Sequence, residues 1–196
     1  MGNSGATKNM KYTPLPKNKK NSVLFIVLLF AAAALFYLGA QYYTEAKSVV
    51  QAAGVLFLAL SSFFLIKKLT GYTYAVYPKE PSDEKSVSDY RPDELVFIVS
   101  KRFGTGADTN KASLDLACLT KTATLPFSYS EKRKIIKAEG KMALYYYTVT
   151  FKPPESLLLV FEANGEKTGI VIEPDTDFSG FLEEVVKINT EKTPSA

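Results

Sequence analysis

Hydrophobic residues in this chain are grouped in two ways, and the change from one to the other divides it. Residues 23–40 read VLFIVLLFAAAALFYLGA and residues 49–66 read VVQAAGVLFLALSSFFLI, two runs without a charge. Eighteen residues of helix rise about 27 Å at roughly 1.5 Å each, close to the roughly 30 Å hydrocarbon core of a bilayer. Gln51, Ser61 and Ser62 are the polar groups of the second run, and each can bond to helix backbone or to a neighbouring helix. The pattern predicts a transmembrane helical hairpin over residues 22–68.

From Gly71 onward the period shortens to two and turn residues become frequent. Strands are predicted at residues 72–77, 95–102, 111–116, 120–125, 143–151, 157–162 and 169–173. Gly104-Thr105-Gly106 reads as a hairpin turn, since no Gly-Lys-Ser/Thr follows it to make a phosphate loop. Asn164-Gly165 is the strongest hairpin signal, because both residues accept positive φ. Residues 127–141 are charged and loosely patterned, a loop with a short helical turn. Phe178, Phe181, Leu182, Val185 and Ile188 then fall at spacings of three and four, which predicts an amphipathic helix with Asp175 or Asp177 at its start.

Seven strands followed by one C-terminal amphipathic helix, over residues 72–189, resemble the pleckstrin-homology-like (PH-like) domain in the version that bacteria attach to transmembrane hairpins. The resemblance implies a partly open barrel of about seven antiparallel strands, one end covered by the helix. Periodicity alone is equally met by an open sheet with one helix on it. The predicted organisation is a basic disordered tail at 1–21, the hairpin at 22–68, a PH-like domain at 71–190 and a disordered tail at 191–196.

Charge gives the hairpin a direction. Lys8, Lys11, Lys17, Lys19 and Lys20 precede the first run and Lys67 and Lys68 follow the second, while the turn between holds Glu45 and Lys47. Basic flanks collect on the cytoplasmic side, so both termini are expected inside a cell membrane crossed twice, with Tyr42 and Tyr43 in an interfacial aromatic belt. A competing reading makes the first run a cleaved signal peptide. The start Met1-Gly2 suggests acylation, but Ala6 stands where the motif wants Ser or Thr.

The whole chain carries +4, yet residues 71–196 hold 16 Lys and Arg against 19 Asp and Glu, a net of −3. Such a domain lacks the broad basic field that nucleic acid requires. With no histidine and one cysteine, Cys118, the chain has no Ser-His-Asp or Cys-His arrangement, no imidazole ligand and no internal disulfide. The expectation is a non-enzymatic protein without catalytic, metal or cofactor residues, with Cys118 as a small core side chain.

Two groups of residues point to binding. Lys132, Arg133, Lys134, Lys137 and Lys141 form the domain's one basic cluster, and in a tethered domain it suits anionic lipid headgroups. Gly39, Gln51 and Gly54 allow close helix packing, either within the hairpin or against another membrane protein or a second copy. Tyr145 and Tyr147 should point to one side of their strand and Tyr146 to the other. The sequence therefore predicts a membrane-anchored binding module with the bilayer, a protein or itself as partner. The alternative is an assembly or regulatory subunit acting through its hairpin.

Overall fold

A computed structural model describes residues 9–14, 19–41, 47–80, 85–150, 153 and 155–192. They fall into two compact units, one within Pro16–Thr70 and one combining Met1–Leu15 with Gly71–Ala196. Tyr42 and Tyr43, and with them the expected aromatic belt, lie outside the described residues, as do residues 1–8.

The first unit is two helices, α1 (Lys19–Gln41) and α2 (Lys47–Leu69), each long and apolar enough to cross a membrane. Only 11% of each candidate span is buried, far less than in the core helix of a soluble protein. Among the described side chains of α1, those at least partly buried are Phe25, Leu28, Ala31, Ala32, Leu35 and Gly39. On α2 the series is Val50, Gln51, Ala53, Gly54, Phe57, Ser61, Phe64 and Leu65. Steps of three and four, averaging 3.5, keep one narrow seam facing a partner helix along the whole length. Within it the small residues Ala32, Gly39, Gly54 and Ser61 are the fully buried ones. A Cβ on Gly54 would stand 3.2 Å from the Phe36 ring, and one on Gly39 would stand 3.3 Å from Val50 Cγ1 and 3.4 Å from Gln51 Cγ. Ser61 Oγ donates across the seam to the Phe25 carbonyl at 3.4 Å, while Ser62 Oγ donates back to Leu58 within its own helix.

The second unit is an α+β domain of two four-stranded sheets. The first has the order β1 (Met10–Tyr12), β2 (Thr70–Pro78), β3 (Leu95–Phe103), β4 (Thr109–Asp115). The second has the order β5 (Leu119–Leu125), β7 (Ser156–Ala163), β8 (Glu166–Ile172), β6 (Ala143–Tyr146). Helix α3 (Tyr129–Ala138) lies between β5 and β6 in the chain, and α4 (Thr176–Lys192) follows β8.

Both expected turns form. Gly104, at φ 60°, carries the chain from β3 into β4, where Arg102 and Asp108 pair at 2.7 Å across the turn. Asn164 and Gly165, at φ 53° and 79°, make the two-residue link between β7 and β8. Asp175 starts α4 by accepting from the Phe178 amide at 2.9 Å, with Asp177 in the first turn. Asn189 Nδ2 ties the same helix to the Leu116 and Leu119 carbonyls at 2.8 and 2.9 Å.

One core cluster joins both sheets to α4: Tyr74, Phe97, Leu116, Leu119, Phe161, Ile172, Phe178 and Leu182 are among its fully buried members, and Cys118 packs half-buried against it. A smaller cluster lies on the other face of the second sheet, where Leu125, Leu158, Val160 and Val171 meet Ile135 and Ile136 of α3, Leu144 of β6 and Met142 just before it. Residues 156–161 of β7 are therefore buried on both faces, which is why LLLVF runs without alternation.

Several expectations are corrected. The tail is not disordered at Met10–Tyr12, which pairs with residues 74–76. All seven expected strands form, with Met10–Tyr12 as an eighth, but among the described residues the two sheets do not close into a barrel. They are not all antiparallel, since β6 pairs parallel with β8. Finally, β6 stops at Tyr146 rather than Phe151, and the preceding segment holds a ten-residue helix in place of a single turn.

Candidate functional site

Between β5 and β7 the chain leaves the second sheet to form α3 and rejoins it at the far edge as β6. Ser128 precedes α3, and Gly140, at φ 83°, ends it by donating its amide to the Lys137 carbonyl at 3.2 Å. Ile135 and Ile136 press the helix onto the outer face of the sheet. The excursion leaves a cavity of about 720 Å³ beside α3, within the roughly 300–1,000 Å³ common for small-ligand sites.

Helical spacing decides which basic residues reach it. Tyr129, Lys132, Arg133, Ile136 and Lys137 form one stripe at steps of three and four, and all line the cavity. Lys134 and Lys141 are exposed and lie outside the lining. Three of the five predicted cations are thus brought together and two are not. Opposite them stand Leu144 and Tyr146 of β6 and Val171 of β8, with Phe127, Thr148 and Pro153 completing the wall. Among the described residues no carboxylate lines the cavity.

The tyrosines divide as their spacing requires. Tyr145 and Tyr147 stack with centroids 6.3 Å apart and ring planes 5° apart, while Tyr146 turns to the cavity. Burial and the neighbouring Tyr129 phenol both raise the Tyr146 pKa.

Glu173 holds the segment after β6. Its carboxylate accepts from the Val149 amide at 3.1 Å and the Thr150 amide at 3.2 Å, which diverts the backbone that would have continued the strand. Burial pushes the Glu173 carboxyl above its ordinary value, outweighing the two amides and the attraction of Lys132. Lys132 is affected in the opposite sense: partial burial lowers its pKa, and Glu173 offsets this in part. Both shifts have one physical origin, loss of water around charge.

The other predicted site residues, Gly39, Gln51 and Gly54, lie in the α1–α2 seam, where their small volume or flexible stem serves packing within the hairpin. Sequence reasoning missed Phe127, Tyr129, Ile136, Leu144 and Val171 as parts of a site. The readable signals were Ser128 and Gly140, start and stop residues around a helix with an apolar pair. No family model matches the chain, and neither a curated protein nor a solved structure is similar enough to it to carry an inference.

Proposed function

We propose that this protein is a membrane-anchored, non-enzymatic module whose hairpin holds a PH-like domain at the cytoplasmic face, where the domain binds the membrane surface. The observation that carries this reading is the pairing of β1 with β2, the strands that flank the hairpin in sequence. The chain leaves the sheet at Tyr12 and enters α1 at Lys19, and seven residues reach at most about 25 Å. That is less than the roughly 30 Å of hydrocarbon core. It leaves α2 at Leu69 and rejoins the sheet at Thr70. One sheet thus takes up both ends of the hairpin, which supports an even number of crossings independently of the lysine count. It also argues against a cleaved signal peptide, because cleavage near Ala40 would sever β1 from its partner.

The PH-like reading is supported by the order β1-β2-β3-β4 in one sheet, the β5-β7-β8 meander in the other and α4 against the shared core. In that reading α3 and β6 are an excursion between two successive strands of the meander. Basic flanks at Lys19, Lys20, Lys67 and Lys68 favour the cytoplasmic side. The stripe Lys132, Arg133 and Lys137, with Tyr129 78% and Phe127 63% exposed beside it, combines charge and aromatic surface as headgroup contact requires.

The test uses the full chain in nanodiscs with Cys118→Ser and a fluorophore on Lys134→Cys. Quenching by a headgroup nitroxide should rise when phosphatidylglycerol replaces phosphatidylcholine and fall again at high salt. Quenching that ignores lipid charge removes the surface-binding reading.

A further inference from the structure

We infer that the cavity beside α3 is a binding site for an acidic amphiphile, a molecule with one anionic head and one alkyl or aryl tail. The inference rests on the reading of this face as a lipid-contacting surface and names what it would take in. The lining is divided in two. Lys132, Arg133 and Lys137 stand on one helix stripe with no carboxylate among the described lining residues, whereas Ile136, Leu144 and Val171 offer a wall with no polar side chain. Lys132 is partly buried beside that wall, so its ammonium has lost water that an anionic head would replace with charge-assisted hydrogen bonds. A neutral apolar ligand would leave the three cations facing no anion within the cavity, and a small hydrophilic anion would leave the apolar wall wet. Tyr146, half-exposed on the same side, adds a hydroxyl next to an apolar ring.

The head group can reach this site from the bilayer, as part of an anionic lipid, or from solution, as a free alkyl phosphate or fatty acid. The chemistry is shared and the experiment separates the sources. The chain contains no tryptophan, so Phe127→Trp at the cavity wall gives a single fluorescence reporter, and Tyr129→Trp gives a second one should the first variant fold poorly. With full-length protein in phosphatidylcholine nanodiscs, dodecyl phosphate added below its micellar range should produce a saturable blue shift. The same shift present in discs containing phosphatidic acid, before any addition, identifies the lipid as source; a shift on addition alone identifies the free amphiphile. In either case replacing Lys132, Arg133 and Lys137 together by Gln should weaken binding about tenfold or more, and dodecanol should not reproduce the saturation. The assignment is overturned by no shift with either reporter, by equal binding of dodecanol, or by unchanged affinity in the Gln variant. The label at position 134 reads surface contact and the tryptophan reads the cavity, so failure of the one is distinguished from failure of the other.

Discussion

Tyr74 Oη donates to the backbone carbonyl of Tyr147 at 2.5 Å, joining a strand of the first sheet to the end of β6 in the second. The same oxygen accepts from the Glu173 amide at 3.2 Å. Tyr74 is fully buried, and desolvation drives its phenol far above the ordinary range, so it stays a neutral donor. Replacement by Phe keeps the ring among Tyr12 and Phe178 but leaves the part-buried Tyr147 carbonyl and Glu173 amide without this partner. Tyr74→Phe should therefore cost about 1–3 kcal/mol, seen as a lower thermal midpoint of the full chain in detergent.

Glu173 makes stability depend on pH in an identifiable direction. Its carboxyl pKa in the folded protein lies above the ordinary 4.5, so over the window from 4.5 up to the raised value the folded state binds more proton than the unfolded chain. Stability from this group is greatest below 4.5, falls as pH rises through the window, and is level above it. Glu173→Gln cannot titrate. The difference in thermal midpoint between wild type and Glu173→Gln should shift against the wild type as pH rises from about 4.5 toward neutrality. A difference constant over that range would contradict the assignment. Glu173→Ala should be worse than Gln at every pH, because the Val149 and Thr150 amides lose their acceptor at a cost of about 1–3 kcal/mol.

The helical seam is tested by a disulfide. A Cβ at Gly39 would lie 3.6 Å from Val50 Cβ, inside the roughly 3.5–4.5 Å that disulfides use. In a Cys118→Ser background, Gly39→Cys with Val50→Cys should oxidise within one chain, protecting both thiols from maleimide at monomer mobility. A covalent dimer as the main product would place these small residues against a second copy instead.

Gly169 sits on β8 in register with Leu144 of β6 and Val160 of β7. A Cβ there would stand 2.8 Å from Met142 Sδ and 2.9 Å from Leu144 Cδ1, both ends of flexible side chains. Gly169→Ala should be absorbed by their rotation with a loss of less than about 1 kcal/mol, while Gly169→Leu should cost about 1–3 kcal/mol by overpacking. Denaturant midpoints of the two variants measure the gap.

What could be read from the sequence followed the strength of local signals. Asn164-Gly165, Gly104 and Asp175 act through their own backbone neighbourhood, and each does what its chemistry predicts. The two apolar runs needed only composition. By contrast, Met10–Tyr12 is a three-residue strand in a lysine-rich stretch, held by a partner more than sixty positions away through residues 74–76 and by Thr13 against Thr73 at 3.0 Å. Nothing local announces it. The end of β6 was hidden because a side chain, Glu173, captures amides that alternation alone would assign to a ladder. The candidate site was half legible: five cations were visible as a run, but selecting Lys132, Arg133 and Lys137 from them needed a helix in place of a loop. The apolar wall opposite comes from strands whose positions only the fold brings near.

The double covering of β7 sets its tolerance to change. On β3 the buried positions Leu95, Phe97 and Val99 alternate with half-buried ones, so a strand-wide scan with charged residues should be rejected at every second site. On β7 the sheet has no spare side between Leu157 and Phe161: the first sheet and α4 take one set of side chains, α3 and β6 the other. Five consecutive positions there should refuse Asp or Lys alike, an unbroken intolerant block that marks where α3 is a structural layer as well as the wall of a cavity.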